Sequence, residues 1–335
     1  MRTSLTNSPI TTTIALALFA VATTAGADVE DKIAKSYEVA PGGQLVLEVD
    51  RGSVEVKTSD RGSVEIEVIR KAKGTEAKAQ KVLKEHVVTT SQDGNKVEVR
   101  AEYTGSKTSG WFGNSPQLNV NYQITVPRKF DVNLKTAGGN IKVAELTGKT
   151  KVHTSGGNVS LEKIEGPVSG HTSGGNIGVA NCRGPVDLHT SGGNLNLNEI
   201  EGDVTGKTSG GSIHADHVAG RVVLKTSGGN IGVAGIKGSV AADTSGGNVN
   251  AELAQQPSGD CTFGTSGGSI TVVLAEKAAV DVDLHTSGGR VSTDFPVTTV
   301  VQGEQIKNKL RGKVNGGGPL ISAHTSGGNV RLAKK

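Results

Sequence analysis

The chain has 335 residues, 48 of them glycine, with aromatics at 3% and a formal net charge of +4 at pH 7. So few aromatics exclude an ordinary globular core and call for a thin one lined by Val, Ile, Leu and Ala. The small basic excess gives no reason to expect nucleic acid as a partner.

Residues 1–27 have the layout of a secretory signal. Arg2 is the only charge, 14–22 (IALALFAVA) is a short apolar run, and Ala25-Gly26-Ala27 fits a cleavage site before Asp28. The run is far shorter than the roughly 20 residues needed to cross a bilayer, and no later segment is longer or more apolar, so export without a membrane span is expected. No cysteine follows the run to take a lipid, and the Ala333-Lys334-Lys335 end carries no anchor signal. The expected location is the periplasm, the cell surface or the medium.

Residues 28–135 read as diverged coils. Asp50-Arg51-Gly52-Ser53-Val54-Glu55 recurs as Asp60-Arg61-Gly62-Ser63-Val64-Glu65, and each copy leads into alternating apolar residues, so coils are expected from near Gly43. One helix interrupts them at 75–86 (TEAKAQKVLKEH), rich in helix formers, with Thr75 placed to cap it. It is expected to cover the open N-terminal end of the stack, because an uncovered sheet end invites aggregation. Strands are predicted at 96–102 and 117–126, separated by a Gly/Ser-rich loop at 104–116. That loop holds the chain's single Trp, Trp111, followed by Phe112.

From residue 136 to 335 the chain repeats the hexapeptide Thr-(Ser/Ala)-Gly-Gly-(Asn/Ser/Arg)-(Ile/Val/Leu). Copies begin at Thr136, Thr154, Thr172, Thr190, Thr208, Thr226, Thr244, Thr265, Thr286 and Thr325, the first seven spaced by 18 residues. A fixed short period means a solenoid, in which one coil cannot bury its apolar face alone and must stack on its neighbours. Within 172–189, Ile177 and Val179 alternate after Gly175, and Val186 and Leu188 after Gly184, so each coil is two short strands and two turns. The Gly pairs are expected to supply positive φ at the corners. The fold class that follows is all-β: a parallel β-solenoid, or β-helix, of 18-residue two-strand coils with one short inserted helix. Residues 293–323 depart from the repeat, through Phe295-Pro296, a charged stretch and Asn315-Gly316-Gly317-Gly318-Pro319, and predict a projecting hairpin or an irregular coil.

Two columns follow from the register. The fifth hexapeptide position stacks Asn140, Asn158, Asn176, Asn194, Asn230, Asn248 and Asn329, interrupted by Ser212, Ser269 and Arg290, and amides at strand spacing can bond to one another and to corner backbone. This is expected to be a structural column, with Asn329 at its end. The position before each hexapeptide points outward and brings His153, His171 and His189 together in succession. Three parallel imidazoles on a flat face offer little convergence for a metal, and a pH-dependent anion stripe is the alternative to a merely solvated ladder. Cys182 and Cys261 fall four coils apart, about 19 Å at strand spacing, so they are expected as separate thiols.

Catalytic motifs were weighed and none is convincing. Gly202 to Thr208 (GDVTGKT) is one residue short of a P-loop and lies in a repeat most of whose other copies lack the Lys. Calcium β-rolls need a carboxylate where Val143, Leu161 and Val179 stand. The repeated Ser has no positioned His-Asp pair. Asp281, Asp283 and Asp294 are the only acids that suggest a polysaccharide-modifying enzyme. No catalytic residue, cofactor or metal is assigned.

The chain resembles a bacterial putative-adhesin family of secreted β-solenoid proteins, related to auto-transporter adhesin head domains. The matching features are Pro41-Gly42-Gly43 with the Gly-Ser-Val-Glu strands after it, the polar helix, Val126-Pro127-Arg128, the Gly-Gly-Asn coils, and the late Asn-Gly-Gly-Gly-Pro. The resemblance implies a solenoid with no established catalytic residues. No translocator barrel, lipid site or wall anchor is expected on this reading. The expected function is that of an exported, non-enzymatic, adhesin-like binder or scaffold of the cell envelope, with an envelope polysaccharide or surface protein as partner. Candidate ligand contacts are Trp111, Phe112, His153, His171 and His189. The alternatives to this reading are a polysaccharide-modifying enzyme on a β-helix and a purely structural periplasmic protein.

Overall fold

The structure, a computed structural model, describes residues 29–105, 117–298 and 307–335. Two 14-stranded sheets face each other across an aliphatic core. Sheet I collects the strands that leave each hexapeptide, such as Val159–Glu162 and Ile177–Arg183, and sheet II those that lead into it, such as Val168–Thr172 and Val186–Thr190. Successive coils pair in parallel with an 18-residue register, so that Val168 lies against Val186 and Thr172 against Thr190. This is the expected parallel β-solenoid.

Each interior coil sends five residues inward. In the coil of Thr172 these are Ile177 and Val179 from sheet I, Val186 and Leu188 from sheet II, and Cys182 between them, all buried. Cys182 belongs to an edge column with Leu146, Ile164, Ile200, Val218 and Ile236. Cys261 lies in sheet II instead, and both thiols are free and buried. Along sheet II large and small residues alternate. A Cβ on Gly170 would lie 2.9 Å from a Leu188 methyl, and one on Gly206 would lie 3.0 Å from a Leu224 methyl, so the leucines fill the space their neighbours leave.

The edge between the two strands contains a feature absent from the sequence reading. Glu145, Lys163, Asn181, Glu199 and His217 all have φ between 53° and 61°, one per coil, and Gly235 continues the row at 63°. The left-handed residue lets the chain turn and drop the next side chain (Leu146, Ile164, Cys182, Ile200, Val218, Ile236) into the core. The corner glycines behave differently from expectation: none of the hexapeptide Gly pairs has positive φ. Their inner member is required by close stacking, since a Cβ on Gly175 would collide with the Gly157 carbonyl.

Stack order departs from chain order at both ends. Gly43–Val49, the first strand of sheet II in the chain, lies between Lys96–Tyr103 and Phe130–Thr136, so a later coil sits outside it. At the other end Leu320–Thr325 and Val330–Lys334 insert between the coils of Thr265 and Thr286. Asn329 is therefore interior, and Arg290 stands beyond it: the Arg290 N–H donates to Asn329 Oδ1 at 2.9 Å. Antiparallel strands close the ends, His86–Asp93, Ser63–Ala72 and Val29–Glu38 at one and Lys309–Val314 at the other. Of the described residues in 293–323, the strands Lys309–Val314 and Leu320–Thr325 pair with Val280–Thr286 in sheet II. Antiparallel closure changes the hydrogen-bond pattern a further coil would need, which protects an edge.

The helix spans Glu76–Glu85 and packs Ala79 and Leu83 on Ala72 at the N-terminal end. Thr75 holds the N-cap position with extended backbone, but its hydroxyl makes no cap hydrogen bond. Beneath the helix Arg70 bonds the Asp31 carboxylate and donates to the carbonyls of Leu83 at 3.0 Å and His86 at 2.6 Å. The His86 ring is fully buried, and neither of its nitrogens has a hydrogen-bond partner among the described residues. Burial, with the Arg70 charge adding to it, pushes the imidazole pKa from 6.5 down to about 4. His86 therefore folds in its neutral form. Its contribution to stability is complete above the unfolded value of 6.5 and is lost as pH falls toward the folded value of about 4. Stability is expected to drop by about 3 kcal/mol over that interval. Urea midpoints measured against pH should show the slope, and His86→Leu should flatten it.

Candidate functional site

The outer face of sheet II carries the column that precedes each hexapeptide. Strand pairing places Lys135, His153, His171, His189, Lys207 and Lys225 side by side on six consecutive strands, with Asp243 on the next. The rings of His153 and His171 are 4.8 Å apart and 4° from parallel, and those of His171 and His189 are 5.0 Å apart at 10°. Partial burial, then the charges of its two neighbours, lowers the pKa of His171. His285 and His324 meet edge-on further along, ring centroids 5.9 Å apart. The three stacked rings point the same way rather than toward a common centre. Among the described residues no group of three or more His, Cys, Asp or Glu is placed to hold a metal ion.

The Asn column lies around the corner. The side-chain oxygen of each Asn accepts the backbone N–H of the fifth position in the next coil: Asn140 from Asn158, Asn158 from Asn176 and Asn176 from Asn194, each at 2.8 Å. The bonds run from backbone to amide, so a hydroxyl can substitute. Ser212 Oγ accepts the Asn230 N–H at 3.1 Å, and Ser269 Oγ accepts the Asn329 N–H at 3.1 Å. Behind it runs a ladder that the sequence reading overlooked. The buried Thr190 hydroxyl donates to the Gly175 carbonyl of the preceding coil at 2.9 Å and accepts the Gly193 N–H at 3.3 Å. The same pair of bonds recurs at Thr154, Thr172, Thr208, Thr226 and Thr244.

One concavity lies at the edge of the coils opposite the hexapeptide corner and another beside the ladder. The larger, about 650 Å³, runs along the left-handed edge between Glu145, Lys163 and Glu199 on one side and Glu165, Arg183 and Glu201 on the other. Within it Lys163 pairs with Glu145 at 3.2 Å and Arg183 with Glu165 and Glu201 at 3.4 and 3.1 Å. A basin of about 490 Å³ adjoins the ladder's N-terminal end, lined by Glu48, Arg100, Lys135 and His153 and by Val87, which is exposed. Trp111 and Phe112 lie outside the described residues.

The acids that suggested an enzyme have other partners. Arg311 donates to both Asp283 oxygens at 2.9 and 2.8 Å, which lowers the carboxyl pKa. Asp281 accepts the Gly318 N–H at 3.3 Å, and Asp294 pairs with Arg331 at 3.2 Å. The P-loop look-alike is also ordinary structure: Val204–Lys207 is a strand, Gly206 faces the core, and the Thr208 hydroxyl donates to the Gly193 carbonyl at 2.8 Å. Val143, Leu161 and Val179, at the calcium-roll position, are buried in the core.

Two parallel sheets wound from short stacked coils, with antiparallel strands closing both ends, define a β-solenoid of the repeat class. Over residues 43–333 the chain matches the Toastrack DUF4097 family, and it belongs to that family. No curated protein matches it. Among solved structures it is similar to a "putative cell adhesion protein" from Clostridium sporogenes (12% identity over 91% of this chain and 100% of that one, TM-score 0.23). It is also similar to a "putative adhesin" from Bacteroides fragilis (12% identity, 91% and 97% covered, TM-score 0.34). A "putative lipid binding protein" from Parabacteroides distasonis is another (13% identity, 90% and 96% covered, TM-score 0.35). No described helix is long and apolar enough to cross a membrane.

Proposed function

We propose that this protein acts by binding rather than by catalysis, as an exported, adhesin-like solenoid that engages an envelope polysaccharide or a surface protein. The observation that carries the reading is the outer face of sheet II. Six consecutive coils keep one chemical class, basic, at the same outward position, while the inward positions of the two strands apart from the recurring Thr vary in size from Gly to Leu. A continuous chemical stripe on a rigid surface suits recognition of something extended. Chemistry on a substrate would need converging groups, and Asp281, Asp283 and Asp294, the acids that suggested an enzyme, are taken up in ion pairs and backbone contacts. Residues 1–27 support export. Trp111 and Phe112 are proposed as a second contact.

Cell fractionation with N-terminal sequencing of the recovered chain, followed by binding of that chain to washed envelope material, tests the reading. The expected result is a chain starting near Asp28 that is retained by the envelope and leaves its glycans uncleaved. A cytosolic chain with its leader intact, or release of glycan fragments, would overturn it.

A further inference from the structure

We infer that the ladder from Lys135 to Lys225 is a binding site for a linear acidic polysaccharide, held more tightly as the medium becomes acidic. The inference rests on the binding function proposed above and names its ligand class.

The geometry sets the ligand's shape. Six side chains at about 4.8 Å per strand make a row about 24 Å long. The face is flat, so a small anion could touch one or two of them, and single exposed ion pairs contribute at most about 1 kcal/mol. A chain of regularly spaced anions meets all six together, and each contact after the first is made at high effective concentration.

The surroundings set its chemistry. On the corner side Ser155, Ser173, Ser191, Ser209 and Ser227 form a second row of exposed residues, one per coil, whose hydroxyls make no hydrogen bond to protein among the described residues. On the other side the adjacent outward column reads Asn133, Lys151, Ser169, Asp187, Thr205 and Val223. Lys151 adds a cation beside His153, and Asp187 is the single acid there. Asp131 and Asp203, two positions before Asn133 and Thr205, accept the backbone N–H groups of Lys149 at 2.7 Å and Arg221 at 2.8 Å. The row ends in acid both ways, at Glu48, which accepts from Lys135 Nζ at 2.7 Å, and at Asp243. A bounded strip of cations lined by hydroxyls suits a polymer carrying both carboxylate or phosphate groups and sugar hydroxyls. A membrane surface fits less well. Among the described residues the exposed large apolar ones, Val87 and Leu320, do not belong to the ladder, whose neighbouring column is neutral or polar over most of its length.

The imidazoles supply the pH dependence. Protonating three stacked rings places like charges about 5 Å apart, and the lysines at either side oppose the same step. A polyanion laid along the row offsets that repulsion, so binding takes up protons and strengthens as pH falls through the histidine range.

The test uses the full chain and four probes: a polyuronate, a linear sugar-phosphate polymer, neutral dextran, and vesicles of phosphatidylglycerol. Expected is binding to at least one acidic polymer and not to dextran, weakening at least about tenfold as salt rises from about 50 to about 300 mM. Lys207→Gln with Lys225→Gln should weaken it by a further factor of about ten. His153→Gln, His171→Gln and His189→Gln together should leave affinity at about pH 7.5 nearly unchanged and remove the gain seen near pH 5.5. Circular dichroism of each variant checks that the fold is kept. Whichever acidic polymer binds identifies carboxylate or phosphate as the anion. Equal binding of dextran, preference for vesicles, or indifference to both sets of substitutions overturns the inference. If the wild-type chain is held by washed envelope while ignoring both acidic polymers, the ligand class is wrong and the binding function stands. Loss of envelope retention by the wild-type chain is the separate failure of that function.

Discussion

Gly193→Ala is expected to destabilise the protein by about 3 kcal/mol or more, while Gly192→Ala, one residue earlier, should change stability by well under about 1 kcal/mol. The two glycines look equivalent in the hexapeptide. At Gly193 a Cβ would overlap the Gly175 carbonyl and lie within 2.8 Å of the Asn176 nitrogen, both of them backbone that cannot swing away. At Gly192 its nearest neighbours would be at 3.7 Å, ordinary contact. Neither position has positive φ, so the difference isolates stacking distance from backbone conformation. Because the neighbouring coils carry the same corner, any relief by opening one corner disturbs the ladder on both sides. Urea melts of the two variants decide the matter. Equal losses would mean that the pair is retained for backbone freedom instead.

That contrast shows what the sequence conveyed and what it did not. The period of 18 told where each strand would lie, and the observed pairings of His153 with His171 and of Thr172 with Thr190 follow from it directly. Period-2 alternation told which residues face inward. Corner chemistry was harder, since Gly serves both positive φ and close approach, and a residue string does not distinguish them. The left-handed edge was hidden for the opposite reason: Glu145, Lys163, Glu199 and His217 are residues that rarely adopt that conformation, and only Asn181 and Gly235 hint at it. Stack order at the ends could not be read from spacing. The hexapeptide at Thr325 would fit against any exposed corner, and the 39 residues that separate it from Thr286 allow the chain to return past that coil. Of the candidate contacts, the stacked histidines were legible because register alone determines them. The serine row and the bounding acids Glu48 and Asp243 emerge only when neighbouring columns are laid side by side.

Thr190→Val should cost about 2–4 kcal/mol, more than the loss of any single Asn in the visible column. Valine matches the shape of threonine and keeps a methyl, so packing changes little. What disappears is a hydroxyl that serves two coils, donating to the Gly175 carbonyl at 2.9 Å and accepting the Gly193 N–H at 3.3 Å. Both partners belong to backbone in the buried interior of the corner, where water has no access to replace the bond. Thr190→Ser retains the hydroxyl and should lose only about 1 kcal/mol for the missing methyl. Asn194→Ala provides the comparison. Asn194 Oδ1 accepts the Ser212 N–H at 2.8 Å, yet Asn194 is exposed, so solvent can take its place and the cost should stay below about 1 kcal/mol. Thr136→Val should fall between, because the Thr136 hydroxyl donates to the Gly52 carbonyl at 2.9 Å at the first corner of the regular stack. Denaturant melts of the four variants rank the columns. A Thr190→Val protein as stable as wild type would place the coupling between coils in the strand ladders and the amides, and an Asn194→Ala loss exceeding it would make the exposed column the principal one.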